Sequence, residues 1–351
     1  MKNKPSVLVT GGAGYIGSHA VLALKDAGWK VAVIDNLSTG FRFAVPDDVP
    51  FYEGDVEDGA LLMRIFGEQK TRAVMHFAGS IVVPESVEDP LKYYHNNTAK
   101  SRMLIEAVVR AGVPHMIFSS TAATYGVPDV SPVNEDVPQR PINPYGWSKL
   151  MTEQMLADVA AAHDLNYGVL RYFNVAGADP LARTGQSTAG ATHLIKVAIE
   201  AALGMRDKVA VFGQDFDTPD GTGVRDYIHV SDLAQAHVLT LEALMADPAR
   251  SLTMNCGYGR GFSVLEVLDA VDRVAGCKLD RTMEPRRAGD PASLVSDPSR
   301  IRATVPWQPQ HADLDTIIAH AMAWEQKLAR IRADKASEEL TYPDSASMRA
   351  A

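Results

Sequence analysis

The sequence predicts an α/β protein: a doubly wound parallel sheet joined to a smaller, mixed α/β region. Three observations lead there. Short apolar, β-branched runs alternate with amphipathic stretches through the first half, the runs are continuous rather than alternating in polarity, and a cluster of glycines follows the first run directly. Strands that are apolar at every position are buried on both faces, as in sheets covered by helices, and such sheets bind ligands beyond the carboxyl ends of their strands.

The strand-like runs are Val7-Leu8-Val9, Val31-Ala32-Val33-Ile34, Ala73-Val74-Met75-His76-Phe77, Met116-Ile117-Phe118 and Tyr167-Gly168-Val169-Leu170, with the rhythm of βαβ units. After about Asn174 that rhythm breaks into stretches rich in Gly, Asp and Pro, among them Asp179-Pro180 and Gly213 to Gly223. Helical segments such as Thr192 to Leu203 and Asp232 to Ala246 interrupt them. The chain therefore divides into a first domain at 1–175, a smaller region at 176–335 with some segments returning to the first, and a flexible tail at 336–351. From roughly Arg332 polar and small residues dominate and Tyr342-Pro343-Asp344 reads as a turn, so fraying is expected there.

With 351 residues, 46% of them hydrophobic and 22% charged, the chain can bury a sizeable core, which sets disorder and fibrous structure aside. No apolar run approaches bilayer length and the first strand begins too early for a signal peptide, so a cytoplasmic protein without membrane contact is expected. Cys256 and Cys277 are the only cysteines and the ten histidines are scattered, which supports neither disulfides nor a metal site. A net charge of −9 argues against nucleic acid as a partner. An anionic small ligand would need local arginines.

Thr10-Gly11-Gly12-Ala13-Gly14-Tyr15-Ile16-Gly17 follows the first strand and opens a helix near Tyr15. Glycines let backbone approach a pyrophosphate, and the helix N-terminus supplies unpaired N–H groups and a positive dipole end. A glycine trio is weak evidence alone. Asp35 sharpens it: an acid ending the second strand, about twenty residues on, binds ribose hydroxyls and repels a 2′-phosphate. NAD rather than NADP is expected, and the first domain becomes a NAD-binding Rossmann domain. Asp55-Val56 after the third strand and Phe77-Ala78-Gly79 after the fourth fall where adenine and ribose belong.

Tyr145-Gly146-Trp147-Ser148-Lys149 places a phenol and an ammonium four residues apart, on one face of a helix. A phenol with pKa near 10 is a poor base at neutral pH, but an adjacent ammonium and a positive nicotinamide ring favour phenolate. Tyr-x-x-x-Lys also arises by chance on exposed helices. Beside the glycine fingerprint and the hydroxyl cluster Ser119-Ser120-Thr121 it reads as catalytic.

Further segments complete a pattern: Val9 to His19, Asp35-Asn36-Leu37, Glu53-Gly54-Asp55, His76-Phe77-Ala78-Gly79, Arg171-Tyr172-Phe173-Asn174, Asp220 to Val230, and Arg286-Arg287-Ala288-Gly289-Asp290. Over nearly its whole length the chain resembles the extended short-chain dehydrogenase/reductases, and within them the NAD-dependent epimerase family. The resemblance implies an isomerase that inverts C4 of a UDP-sugar through a transient 4-keto sugar, with tightly retained NAD. UDP-glucose and UDP-galactose are the first expectation; UDP-xylose/UDP-arabinose or UDP-N-acetylglucosamine are the alternatives.

By the same resemblance, Tyr145 is the base, Lys149 its electrostatic partner and ribose ligand, and Thr121 the hydroxyl that orients the sugar 4-OH. Implied cofactor contacts are Gly11, Gly14, Tyr15, Ile16, Gly17, Asp35, Asn36, Asp55, Val56, Phe77, Ala78, Gly79, Asn96 and Tyr172, with Tyr145 and Lys149. Implied UDP-sugar contacts are Thr121, Asn174, His193, Leu194, Val211, Phe212, Arg225, Arg287, Asp290 and Leu294. Arginines in glycine-rich loops of an acidic protein independently suit a diphosphate, because guanidinium forks bind it bidentately. A homodimer is implied through helices near Thr98 to Ala111 and Ser148 to His163, whose apolar stripes include Leu104, Ala107, Val108, Leu150 and Leu156; the same stripes suit ordinary core packing.

Dehydratases and decarboxylases share this scaffold, but dehydration needs an acid just after the strand-end Thr, where this chain has Ala122 and Ala123, and decarboxylases usually carry Glu at the second position. A non-catalytic dinucleotide-binding regulator need not keep Tyr145 and Lys149. Three positions depart from the family pattern: Ile81 in place of a lysine, His193 in place of an asparagine and Leu294 in place of a tyrosine that walls the sugar pocket.

Overall fold

The computed structural model describes residues 4–341 except 189, 248 and 288, with backbone only for 334–341. In chain order the first half forms β1 (Ser6–Thr10), α1 (Tyr15–Asp26), β2 (Lys30–Asp35), β3 (Phe51–Glu53), α2 (Gly59–Gln69), β4 (Thr71–His76), α3 (Val83–Glu88), α4 (Pro90–Tyr93), α5 (Lys100–Arg110), β5 (His115–Thr121), α6 (Pro144–Ala162) and β6 (Asn166–Tyr172). The second half adds β7 (Asn174–Ala176), α7 (Leu194–Ala202), β8 (Val209–Phe212), β9 (Val224–His229), α8 (Val230–Ala246), β10 (Leu252–Cys256), β11 (Gly261–Ser263), α9 (Val264–Ala275), β12 (Arg281–Glu284), β13 (Ser293–Leu294), α10 (Ser299–Thr304) and α11 (Leu314–Thr341).

The main sheet has seven strands in the order β10-β6-β5-β4-β1-β2-β3, every pairing parallel. Its continuous apolar runs are explained by the pleat, which sends alternate residues to opposite faces. Val7, Val9, Ala73, Met75 and Ile117 join one core with residues of α1 and α8 such as Leu24 and Leu241. Leu8, Val74, Met116 and Phe118 join another with α2, α5 and α6, through Leu62, Leu104 and Leu156. The strand order reverses between β1 and β4, which opens the crevice where such sheets bind ligands.

β10 comes from well beyond residue 176 yet extends the main sheet beside β6. The other late strands form a small sheet in which β9 pairs with β11, β13 and β7, and a parallel pair of β8 with β12. Two expectations need adjustment. Residues from 332 to 341, expected to fray, continue helix α11; their Ala, Lys and Glu content is polar but strongly helix-forming, and Ile317, Trp324 and Leu328 anchor the helix upstream. The rest of the tail lies outside the described residues. Among the stripe residues, Leu104, Ala107, Val108 and Leu156 are buried within the subunit's own core, while Met103, Trp147 and Met151 are the exposed apolar residues of α5 and α6. Among the described residues, no helix is long and apolar enough to cross a membrane.

Candidate active site

The carboxyl ends of β1, β2, β4, β5 and β6 converge at this crevice. After β1 the chain turns at Gly11, whose φ of 67° lies in the left-handed region, and a Cβ there would stand 2.6 Å from the amide nitrogen of Ala78. A Cβ on Gly17 would stand 2.1 Å from the carbonyl oxygen of Gly11, so turn and helix pack backbone to backbone. Gly14 caps α1 without a side-chain hydrogen bond and no acid lies in the first turn. The amide groups of Tyr15, Ile16 and Gly17 thus form an uncapped helix end, which fits the pyrophosphate of a dinucleotide.

Asp35 ends β2 and is buried, its carboxylate accepting from the amides of Ala13 (2.9 Å) and Leu37 (2.8 Å). Burial pushes its pKa up against those two bonds. It therefore braces the glycine turn, a duty the sequence did not show. Asn36 donates to Asp55 at 2.9 Å, as does Lys100 at 2.6 Å. Burial opposes these contacts, but Lys100, the Glu57 amide and Asn36 prevail and hold the Asp55 carboxyl below its ordinary value. Val56 is buried beside it. The Phe77 amide donates to the Thr10 carbonyl and its ring lies tilted against that of His237, and Ala78 and Gly79 pass close to the glycine turn and Lys149. Asn96 donates to Ser80 Oγ, but the neighbouring Asn97 pins this loop more firmly, accepting from the Ser80 amide at 2.7 Å and donating to its carbonyl and to Ser148.

Asn143 caps α6 by accepting from Gly146, with Pro144 in the first turn. That fixes Tyr145 and Lys149 against the end of β5, both buried. The Tyr145 hydroxyl lies beside the Thr121 hydroxyl, which favours its phenolate. Lys149 Nζ donates to the Ser119 carbonyl at 3.0 Å and lies 4.8 Å from the centre of the Phe118 ring. Ser119 Oγ meets Tyr172 hydroxyl at 2.5 Å. Burial raises the Tyr145 pKa, against the effect of Thr121. It lowers Lys149 to about 8, against the pull of Glu153.

Three candidate substrate residues, Asn174, Arg225 and Leu294, lie on the small sheet. Asn174 pairs in register with Tyr227, and Arg225 with Leu294. A cavity is lined by Tyr15, Asn174, Gly177, His193, Leu194 and Tyr227 among others. Tyr227 was not singled out from the sequence, although it sits inside a quoted segment. Arg225 lies 3.6 Å from Asp290, and Arg287 lies 3.9 Å from the Phe212 ring centre. Leu294 packs with Ala122, Tyr125, Val133 and Phe173. His193 is exposed, 2.8 Å from Gln186, and Ile81 is exposed too. Val211 is different: its side chain is fully buried in the main core, because the pleat of β8 turns it away from the face that Phe212 shares with Arg287.

Residues 7–257 match the family model described as the NAD dependent epimerase/dehydratase family. The chain belongs to this family. It is 58% identical to the UDP-glucose 4-epimerase of Azospirillum brasilense over 92% of this chain and 93% of that protein. The crystal structure of UDP-glucose 4-epimerase from Brucella ovis in complex with NAD superposes with a TM-score of 0.88 at 46% identity, covering 91% of this chain and 98% of that one. A UDP-glucose-4-epimerase from Stenotrophomonas maltophila with bound NAD and formylated UDP-arabinopyranose gives 0.90 at 39% identity, covering 93% and 99%.

For an epimerase/dehydratase, the turn after Thr121 is informative. Ala122 and Tyr125 are buried there, and Ala122 to Tyr125 offer no acid next to Tyr145. That turn therefore holds no carboxylic acid to protonate a leaving hydroxyl.

Proposed function

We propose that the chain is an NAD-dependent isomerase that interconverts UDP-glucose and UDP-galactose at C4. The observation that carries this reading is a buried Tyr145 beside Thr121 with Lys149 one helical turn away, Lys149 donating to the Ser119 carbonyl, at the strand ends that also carry the dinucleotide-fitting turn. The chemistry that bound NAD supplies is acceptance and return of a hydride. Tyr145 takes the 4-OH proton and later gives it back, Thr121 orients that hydroxyl, and the ammonium of Lys149 favours the phenolate that burial alone disfavours. Arg225 and Arg287 hold the diphosphate, so the flat 4-keto sugar turns over while still tethered, with Asn174, His193, Leu194, Phe212, Asp290 and Leu294 around the nucleotide and sugar.

In this reading residues 1–175 bind the cofactor, with Tyr172 and Asn96 contributing, and residues 176–335 bind the sugar nucleotide. The protein works in the cytoplasm, in galactose metabolism, as a homodimer that covers Met103, Trp147 and Met151 on α5 and α6. Their exposure in the single subunit supports that face.

Purified protein is incubated with UDP-galactose without added NAD and UDP-glucose is followed, with UDP-xylose and UDP-N-acetylglucosamine in parallel. Turnover of UDP-galactose is expected. Reaction of only a parallel sugar replaces the substrate assignment, and no reaction even with NAD supplied ends the epimerase reading.

A further inference from the structure

The three consecutive hydroxyls at the end of β5 face three different partners: Ser119 bonds to Tyr172, Ser120 bonds to Glu153, and Thr121 lies beside Tyr145. Two of these partners have places in the proposed site. Glu153 does not, yet it stands on α6 in the series Tyr145, Lys149, Glu153, each four residues from the next and so on one helix face.

Glu153 is buried and saturated with donors. Arg171 Nε reaches both its oxygens at 3.1 Å, Arg171 Nη2 reaches Oε2 at 2.6 Å, Gln139 reaches Oε2 at 3.2 Å, and Ser120 Oγ reaches Oε1. Arg171 in turn donates to the Tyr125 hydroxyl, which donates to Asn255. The anchor is fixed from β6, α6 and the turn after β5 at once. Ser120, the residue it holds, lies between the carbonyl that receives Lys149 and the hydroxyl that meets Tyr145.

We propose that Glu153 is a positioning residue for the epimerase reaction: through Ser120 it sets the end of β5 against α6, and it places a carboxylate one helical turn from Lys149. This inference rests on the epimerase reading. Burial lowers the Lys149 pKa to about 8 and Glu153 opposes that fall. Other ionisable groups near Lys149 are Tyr145 on the same helix, Tyr93 on α4, His76 on β4, and Tyr172 and Arg171 on β6. His76 is kept neutral, its pKa lowered to about 3 by burial and by Lys149 itself. Tyr172 and Tyr93 are held as phenols by burial. Glu153 is therefore the acidic side chain in this group.

The test measures kcat and KM for UDP-galactose against pH with the NAD-bound enzyme, for the wild type, Glu153→Gln and Ser120→Ala. Activity that needs the Lys149 ammonium falls as pH rises through its pKa. Glu153→Gln is expected to move that alkaline limb to lower pH and to cut kcat about tenfold or more, with KM changed by less than about threefold. Ser120→Ala keeps both charges, so it is expected to lower kcat while leaving the limb in place. An unmoved limb in a folded Glu153→Gln, or wild-type kcat in Ser120→Ala, overturns the proposal. If Glu153→Gln does not fold, Ser120→Ala decides the matter. Absence of wild-type turnover would instead strike the epimerase reading itself.

Discussion

The cofactor side and the substrate side of this site are built differently. On the first side, the candidates from Gly11 to Gly79 follow the ends of strands of one seven-stranded sheet, and backbone holds the turn: Gly11 against Ala78, Gly17 against Gly11, Asp35 on two amides. On the second, the candidates come from short strands and connecting segments, and their cations are exposed or only half-buried, as with Arg287 and Arg225. A side built from backbone tolerates few substitutions and announces itself as a motif. A side built from long side chains can change its residues singly, and its binding strength is spread over several contacts.

That contrast ranks what substitutions should do. Tyr145→Phe touches the one group that moves a proton and should cut kcat by about 10²–10⁴-fold. Melting temperature should change little, because the ring stays packed against Tyr93. A comparable loss of melting temperature would mean that the hydroxyl's place beside Thr121 is structural. Gly17→Ala comes next. Its Cβ has no room beside the Gly11 carbonyl, so the turn must open at a cost of about 1–3 kcal/mol. NAD should be lost from the purified protein, as read from its absorbance after denaturation; retained NAD would show that the turn can shift without harm.

Arg225→Met and Arg287→Met act on the other side. Each removes charge-assisted hydrogen bonds to a diphosphate, worth roughly 1.5–3 kcal/mol, so KM for UDP-galactose should rise by about tenfold or more while NAD content is unchanged. A fall in kcat at constant KM would argue that the arginines act on the sugar's turnover instead of on its anchoring.

The same contrast decides how much could be read in advance. The sheet was legible because the pleat of a doubly covered sheet demands apolar residues at successive positions, and Val7, Leu8 and Val9 go to two different cores. The Tyr145–Lys149 pair was legible because four residues make one helical turn. Tyr227 and Asn97 were missed: nothing local marks a buried tyrosine that lines a cavity by pairing with Asn174, or an asparagine whose side chain reaches Ser80 and Ser148 from a π-helical turn. The burial of Val211 depends on which face of a two-stranded pair meets the core. The course of α11 through residues 332–341 depends on helix propensity that a polar composition concealed.

The smallest expected effect is on acid stability, where buried histidines of the main sheet reach into the cofactor pocket. His19 on α1, His76 on β4 and His237 on α8 pack on or within the main sheet, and burial lowers their pKa values to about 4, about 3 and about 4. Each is neutral when folded but takes a proton near 6.5 when unfolded, so the unfolded state binds more protons as pH falls. Their contribution to stability is complete above about 6.5 and is lost progressively from there down toward about 4. Melting temperature should therefore fall across that window, and His237→Gln should flatten the fall by keeping the position neutral at every pH. His237 packs against Phe77 and Tyr172, so the cofactor pocket is where acid should loosen the fold first: NAD release on acidification should precede global unfolding. Loss of NAD only together with the whole fold would show that the two sides melt as one unit.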